Sequence, residues 1–276
     1  MSGQTPAKEG LTLRLKAPAT ERLNLSELTP AKLAKLSAHE IANLKVGMDK
    51  HAMSVGDAFD ISGTSGDTLT IEGNGAALDF AGAGLCSGTL RIVGNVGGYA
   101  GRKMSGGKLE IHGNAGNYLA SGATGGLIHV AGNAGDNLGG ITTGDRFGMA
   151  GGTVVVGGNI GARAGDKMRR GTVIVKGNTG VGTGTRMVGG TIWAEGNLGP
   201  DPGFMMRRGT LIAQRVERLL PTFADCGNHE LVILQILAKY LRDTLGDLAP
   251  KPFGNFAHKI GGDLATIGKG EILLPV

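Results

Sequence analysis

The sequence predicts a mainly β fold: a parallel β-helix of about 19-residue coils, with a short α-containing N-terminal cap and a C-terminal helix. Three observations predict it. The pair Gly-Asn recurs at Gly73-Asn74, Gly94-Asn95, Gly113-Asn114, Gly132-Asn133, Gly158-Asn159, Gly177-Asn178 and Gly196-Asn197, with the asparagines 21, 19, 19, 26, 19 and 19 residues apart. A fixed period of this size marks a solenoid. Before each pair stands a short run of period-2 alternation, such as Leu69/Ile71, Leu90/Ile92, Leu109/Ile111, Ile128/Val130, Val154/Val156, Val173/Val175 and Ile192/Ala194. That pattern is a strand with one buried face. Behind the strands runs a second column, Leu85, Met104, Ala123, Met149, Met168, Met187 and Met206; Met fills irregular core gaps well. One strand per 19 residues cannot bury its own face, whereas stacked units share a continuous core.

The period excludes hexapeptide and nonapeptide solenoids, since 19 is a multiple of neither and the corners carry Asn, not Asp. The Gly-Asn corner is read as a left-handed turn, which both residue types tolerate. Coils stacked about 4.8 Å apart also place the asparagine amides to form a hydrogen-bonded ladder.

Taken in order, residues 1–10 read as a loose terminus and Leu11 to Lys16 as a strand. Thr29-Pro30 starts a short helix, and Ser37-Ala38-His39-Glu40 has capping-box spacing for another through Leu44. Residues 56–63, with Phe59 and Ile61, form a degenerate entry rung that caps the stack. A cap over 1–55, repeats over 56–214 and a C-terminal segment over 215–276 follow. Asn228 is read as the cap of an apolar helix from about His229 to Leu245, closed by Gly246 and Pro250. So much of that helix is apolar that burial on more than one side is expected.

Composition narrows the function. Gly is 52 of 276 residues, but periodic, so it marks corners and not disorder. Aromatics are 4%, which is unfavourable for nucleic-acid or carbohydrate binding through stacking platforms. The net charge of +5 suits an acidic partner or ligand. Cys86 and Cys226 stand alone without a CxxC, which fits a reducing compartment. No apolar run approaches the roughly 20 residues of a membrane span, and no signal peptide follows Met1, so a cytoplasmic protein is expected.

Chemistry is sparse. Glu110, His112 and His129 resemble an acid–base cluster, yet stacked with Arg91 they read as a charge ladder on an outer face. Cys226 and His229 lack a second ligand pair for zinc, and the glycine strings lack the helix a dinucleotide fingerprint needs. The cations are more organised. Arg102, Lys103, Lys167, Arg169, Arg170, Arg186, Arg207 and Arg208 all fall seven to eleven residues after a corner asparagine. Stacked coils align them in a basic stripe, either an ordinary solvated edge or a track for a polyanion or an acidic subunit. A second outer column, Val155, Ile174, Trp193 and Ile212, is apolar and must be covered by the C-terminal helix or a partner. The seven extra residues between Asn133 and Asn159 fall in Gly139–Gly148, a loop carrying Asp145 and Arg146 that is either a tolerated insertion or a binding element.

The repeats together with Glu21-Arg22-Leu23-Asn24-Leu25, Leu28-Thr29-Pro30, Glu40-Ile41 and the closing Gly262-Asp263-Leu264-Ala265 and Gly268-Lys269-Gly270-Glu271-Ile272 resemble the C subunit of formylmethanofuran dehydrogenase over roughly residues 11–274. The related C-terminal β-helix of the glutamate synthase large subunit shares the repeat. The resemblance implies a right-handed β-helix that scaffolds a larger complex and holds no catalytic residue, cofactor or metal of its own. Amidohydrolase-like, pterin-enzyme-like and formyltransferase subunits are the implied partners. The bacterial form, a formyltransferase/hydrolase complex, is favoured. It moves a formyl group from tetrahydromethanopterin to methanofuran or methylofuran and releases formate. The alternatives are the C subunit of a tungsten or molybdenum enzyme that reduces CO2, and a stand-alone polyanion-binding module. In the favoured complex the basic stripe is expected either to guide the polyglutamate tail of methylofuran or to dock an acidic face of a neighbouring subunit. A polysaccharide-cleaving β-helix would need clustered carboxylates beside an aromatic groove, and the outward columns carry neither.

Overall fold

The computed structural model describes residues 10–18, 21–48, 53–73, 75 and 77–276. The loose terminus expected over the first residues, and the first corner asparagine, Asn74, lie outside the described residues apart from Gly10. Strand β1 (Leu11–Leu15) buries Leu11 and Leu13 and leaves Arg14 outside. After β2 (Leu23–Asn24) come three short helices, α1 (Pro30–Leu33), α2 (Ala38–Asn43) and α3 (Val55–Ala58). The capping box at α2 forms: Ser37 Oγ accepts from the Glu40 N–H at 3.3 Å, and the Glu40 carboxylate accepts from the Ser37 N–H at 2.7 Å. Ser54 and Asp57 build the same box at α3, a single turn that periodicity does not reveal.

Strand β3 (Phe59–Ser62) pairs antiparallel with β1, and β1 pairs parallel with β4 (Thr68–Glu72). The entry rung is therefore an antiparallel edge strand that closes one end of the sheet. A second, two-stranded sheet joins β2 to β5 (Leu78–Asp79). Each following repeat then contributes one strand: β6 (Thr89–Val93), β7 (Lys108–Ile111), β8 (Thr124–Val130), β9 (Ala150–Val156), β10 (Arg170–Val175), β11 (Thr191–Ala194) and β12 (Arg208–Ile212). The chain ends with β13 (Ala224–Glu230), α4 (Val232–Leu245), β14 (Phe256–Gly262) and β15 (Lys269–Pro275). The protein is mainly β. Its large sheet of 13 strands runs parallel from β1 through β12 to β15, with antiparallel pairs only at its two ends.

The inward positions are those the alternation marks. Leu90, Ile92, Leu109, Ile111, Val173 and Val175 are all buried in one core with Met104, Met149, Met168, Met187 and Met206. The outward column runs in register as Thr70, Arg91, Glu110, His129, Val155, Ile174, Trp193 and Ile212, and Leu273 of β15 extends it.

The corners differ from expectation. None of the described corner asparagines has positive φ, and of the described corner glycines only Gly94 does. Glycine is needed there because successive repeats approach closely: a Cβ on Gly177 would stand 2.2 Å from Asn159 Oδ1, and one on Gly196 would stand 2.4 Å from Asn178 Oδ1. The ladder exists but does not join amide to amide. Each asparagine Oδ1 accepts the backbone N–H of the next, as from Asn114 to Asn95 at 2.6 Å, Asn178 to Asn159 at 2.7 Å and Asn197 to Asn178 at 2.8 Å. The left-handed residues fall later in each repeat, in stacked columns such as Phe80, Tyr99, Tyr118 and Asn137.

The apolar outer column is covered by this chain. Val155, Ile174, Trp193 and Ile212 pack with Leu234, Ala238 and Leu241 of α4 and with Ala257 and Leu273. Asn228 does not cap that helix. It lies in β13, where its Oδ1 meets His258 Nδ1 at 2.9 Å, and the helix begins after Leu231 without a side-chain cap. Pairing with β14 satisfies the backbone of residues 224–230 and outcompetes an extra helical turn. Nor is α4 buried on more than one side within this chain: Val232, Ile233, Ile236 and Tyr240 are each more than half exposed.

Candidate functional site

The basic residues sit where tight turns push side chains outward. Lys103, Lys167 and Arg186 each have positive φ and each directly precede a buried methionine, so the backbone reverses and the cation faces solvent while Met enters the core. Their N–H groups bond forward to the next repeat, Lys103 to Ser121 O at 2.9 Å, Lys167 to Thr185 O at 3.0 Å and Arg186 to Phe204 O at 2.7 Å.

Geometry separates the predicted stripe into three groups. Arg102 and Lys103 are held by the inserted loop: Asp145 accepts from Arg102 at 3.4 Å and pairs with Lys103 Nζ at 3.1 Å. The loop is thus folded back onto the repeat that carries Arg102 and Lys103. The Thr142 hydroxyl, then Lys103 and Arg102, hold the Asp145 carboxyl below the ordinary Asp value. Arg186 is clamped on buried Asp166, with Nε donating to Oδ1 at 2.8 Å, and Arg163 shares that carboxylate at 3.1 Å. Lys167, Arg169, Arg170, Arg207 and Arg208 make no ion pair among the described residues. Arg208 also stands opposite Lys269 across β12 and β15, which concentrates positive charge on that face.

Between these groups lies an open groove of about 600 Å³, bounded by Arg146, Phe147, Lys167, Arg186, Val188, Met205, Arg207, Thr266 and Ile267. The guanidinium groups of Arg146 and Arg169 lie over the Phe147 ring at 5.2 and 4.9 Å, within cation–π range. An adjoining hollow of about 510 Å³ shares Lys167 and Arg186 and reaches Tyr118, Thr142 and Asp145. Chemically, this is a surface that sets cations around an apolar floor.

The sequence reading missed one feature beside it. Phe80, Tyr99 and Tyr118 stack in parallel at 4.9 and 5.1 Å, with Arg102 over Tyr99 at 6.0 Å. Their 19-residue spacing was the available signal, obscured by the low overall aromatic content.

The other candidates resolve simply. Arg91 Nε pairs with Glu110 at 3.0 Å and Lys108 Nζ with its other oxygen at 2.5 Å. Burial opposes ionisation of Glu110, but those two cations outweigh it and hold the carboxyl below its usual value. Burial pushes the His129 imidazole down, against the pull of Glu110. His129 is thus the next step of the Arg91–Glu110 column. His229 Nε2 meets the Cys226 carbonyl at 2.8 Å, so these two make a turn contact. Among the described residues, no group of three or more His, Cys, Asp or Glu is placed to hold a metal ion. No helix there is long and apolar enough to cross a membrane.

Comparison with known proteins gives two informative matches. An 86-residue segment, 31% of this chain, is 42% identical to the C subunit of the formyltransferase/hydrolase complex Fhc of Methylorubrum extorquens. That match spans about a third, 32%, of the curated relative's length. The structure is also similar to a chain in the crystal structure of the formyltransferase/hydrolase complex FhcABCD from Methylorubrum extorquens in complex with methylofuran. That alignment is 40% identical with a TM-score of 0.90 and covers 96% of this chain and 99% of the other. No family model matches the chain.

Proposed function

This chain belongs to the C-subunit family of the formyltransferase/hydrolase complex, and we propose from this that it is a non-catalytic scaffold subunit of such a complex in one-carbon metabolism. The complex would transfer a formyl group from tetrahydromethanopterin to methanofuran or methylofuran and release formate. The observation that carries this reading is the near full-length alignment with a chain of the solved complex, at 40% identity. The same observation favours the formate-releasing complex over a CO2-reducing one.

In this reading the partners are amidohydrolase-like, pterin-enzyme-like and formyltransferase subunits, which carry the metals and the active sites. The chain binds no cofactor of its own and works in the cytoplasm. Its repeats form a right-handed parallel β-helix. Support comes from the single in-register parallel strand of each repeat and from a second column of parallel bridges, Ala115 to Ala134 to Ile160 to Thr179. The basic face around Lys167 and Arg207 guides the polyglutamate tail of methylofuran, or else docks an acidic subunit. Its unpaired cations and open groove support this.

Affinity purification of the tagged chain from its native host tests the proposal. Stoichiometric companion subunits, formate release by the assembly and none by the isolated chain are expected. Formate release by the isolated chain, or a chain that purifies alone, overturns it.

A further inference from the structure

The column that carries the basic residues does not end in a cation. Lys103, Lys167 and Arg186 each stand in the left-handed region one position before a buried methionine. The same place in the next repeat is taken by Met205, with φ 55°, one position before buried Met206. The turn that faces a cation to solvent in the earlier repeats therefore faces an apolar side chain to solvent here, and Met205 is 45% exposed. Left-handed backbone is unfavourable for a residue with a Cβ, and two contacts hold the turn. The Met205 N–H donates to buried Asp263 at 2.9 Å, and the Thr266 hydroxyl donates to the Met206 carbonyl at 2.7 Å. The second contact brings Ile267, 44% exposed, to the same groove of about 600 Å³ that Met205 bounds. A further groove of about 510 Å³ shares Met205 and Arg186 with it and adds Val181 and Phe204, 46 and 47% exposed. Large apolar side chains from separate segments thus meet on one surface, in contrast to scattered exposed residues that need no explanation.

The free charges around this surface are of one sign. Among the described residues, every charged side chain that bounds the first groove is a cation: Arg146, Lys167, Arg186 and Arg207. Arg186 shares Asp166 with Arg163, whereas Arg146, Lys167 and Arg207 make no ion pair there. The neighbouring carboxylates are buried or engaged. Asp166 and Asp263 are buried, Asp145 holds Arg102 and Lys103, and Asp201, which bounds the second groove, holds Arg218. A second copy meeting this one groove to groove would set cations on cations wherever the symmetry axis fell. A purely anionic chain would satisfy the cations but leave the apolar floor in water. A protein segment with apolar side chains flanked by carboxylates does both: it removes Met205, Phe204 and Ile267 from water and supplies charged partners to Arg146, Lys167 and Arg207.

We infer that this surface docks a segment of a different protein chain in which apolar side chains are flanked by Asp or Glu. The inference rests on the scaffold reading and takes its docking branch, adding an apolar requirement that a polyglutamate tail does not meet.

The test uses the assembled complex purified through a tag on this chain. Met205→Ser with Ile267→Ser keeps every cation and removes the apolar floor. One companion subunit should be lost from the purified complex, while the melting temperature of the isolated chain stays unchanged. A benzophenone amino acid in place of Phe204, in the otherwise wild-type chain, should crosslink to that same subunit under light. The captured peptide should carry Asp or Glu beside apolar residues. An intact complex in the double variant is the result expected of a track for a polyanion; it overturns the inference but leaves the scaffold reading standing. If the double variant melts early, the crosslink decides: capture of a second copy of this chain, of a peptide without carboxylates, or of nothing, overturns the inference. A wild-type chain without stoichiometric companions overturns both readings.

Discussion

The indole of Trp193 meets the ring of Phe253 edge to face, with centroids 5.7 Å apart and planes at 68°. The contact ties the segment after α4 to the late repeats, and polar contacts reinforce it. Lys176 Nζ reaches Glu195 at 2.7 Å and the Ala249 carbonyl at 2.5 Å, while Glu195 also accepts the Lys251 N–H at 3.0 Å. The C-terminal segment therefore acts as a lid on the outer column of β9 to β12.

Trp193→Ala removes the largest side chain under that lid. The expected loss is about 3–5 kcal/mol, the range for deleting a buried aromatic, read by urea denaturation. Binding of a hydrophobic dye should rise as Val155, Ile174 and Ile212 lose their cover. Unchanged stability together with unchanged dye binding would refute the role of the lid.

Met168 is fully buried in the core. Met168→Asp buries an unpaired charge and should cost about 4 kcal/mol or more. Met168→Leu, nearly volume-conserving, should cost under about 1.5 kcal/mol. Thermal melting of both variants checks the pair, and equal melting points would count against a packed methionine column.

Gly177→Ala directs a methyl group at Asn159 Oδ1, only 2.2 Å away. It should destabilise by about 1–3 kcal/mol, as overpacking does. Asn159→Ala removes that oxygen and with it the acceptor of the Asn178 N–H. Because the two residues are in contact, their effects should not add: the double variant should be more stable than the sum of the single losses predicts. Strict additivity in a double-mutant cycle would show that the ladder does not set the glycine requirement.

The loop around Asp145 should respond to acid. Its carboxyl ionises more readily in the folded protein than its ordinary value of 3.8, chiefly through the Thr142 hydroxyl and then Lys103 and Arg102. The sign follows from linkage: the anchoring is complete above the ordinary value and is lost as pH falls through the lower folded one. NMR resonances of Thr142 and Asp145 should therefore shift in that acid range, and Asp145→Asn should remove the transition. A loop unaffected by acid in the wild type would contradict the anchoring.

Reversing Lys167, Arg169 and Arg170 to Glu separates the readings of the basic face. Guidance of a polyanionic tail predicts an intact complex with slower transfer. The defect should be largest at low salt, since exposed charges are screened within about 8 Å at physiological ionic strength. Docking of an acidic subunit predicts loss of that subunit instead. An intact complex with unchanged kinetics at low salt would make the face an ordinary solvated edge.

The period, the strands and both sides of the core are legible in the amino-acid order. Hydrophobic alternation needs only local geometry to show which side chains share a face, and stacking repeats that choice along the chain. The same pattern marks the column from Val155 to Ile212 as needing cover, and the residue spacing at Ser37 marks its capping box. Whatever depends on the distance between repeats emerges only in the folded chain. At Gly158 and Gly177 glycine is required because a Cβ would stand 2.2 Å from the asparagine oxygen of the preceding repeat, not because of their own φ. Asn228, read as a helix cap, is claimed by a strand partner 30 residues away. Asp145 and Asp166, remote in sequence from some of the cations they bind, neutralise part of the basic stripe and leave Lys167, Arg169, Arg170, Arg207 and Arg208 unpaired among the described residues. Composition gives the number of charges, but their pairing is fixed only when folding brings separated segments within a few ångströms.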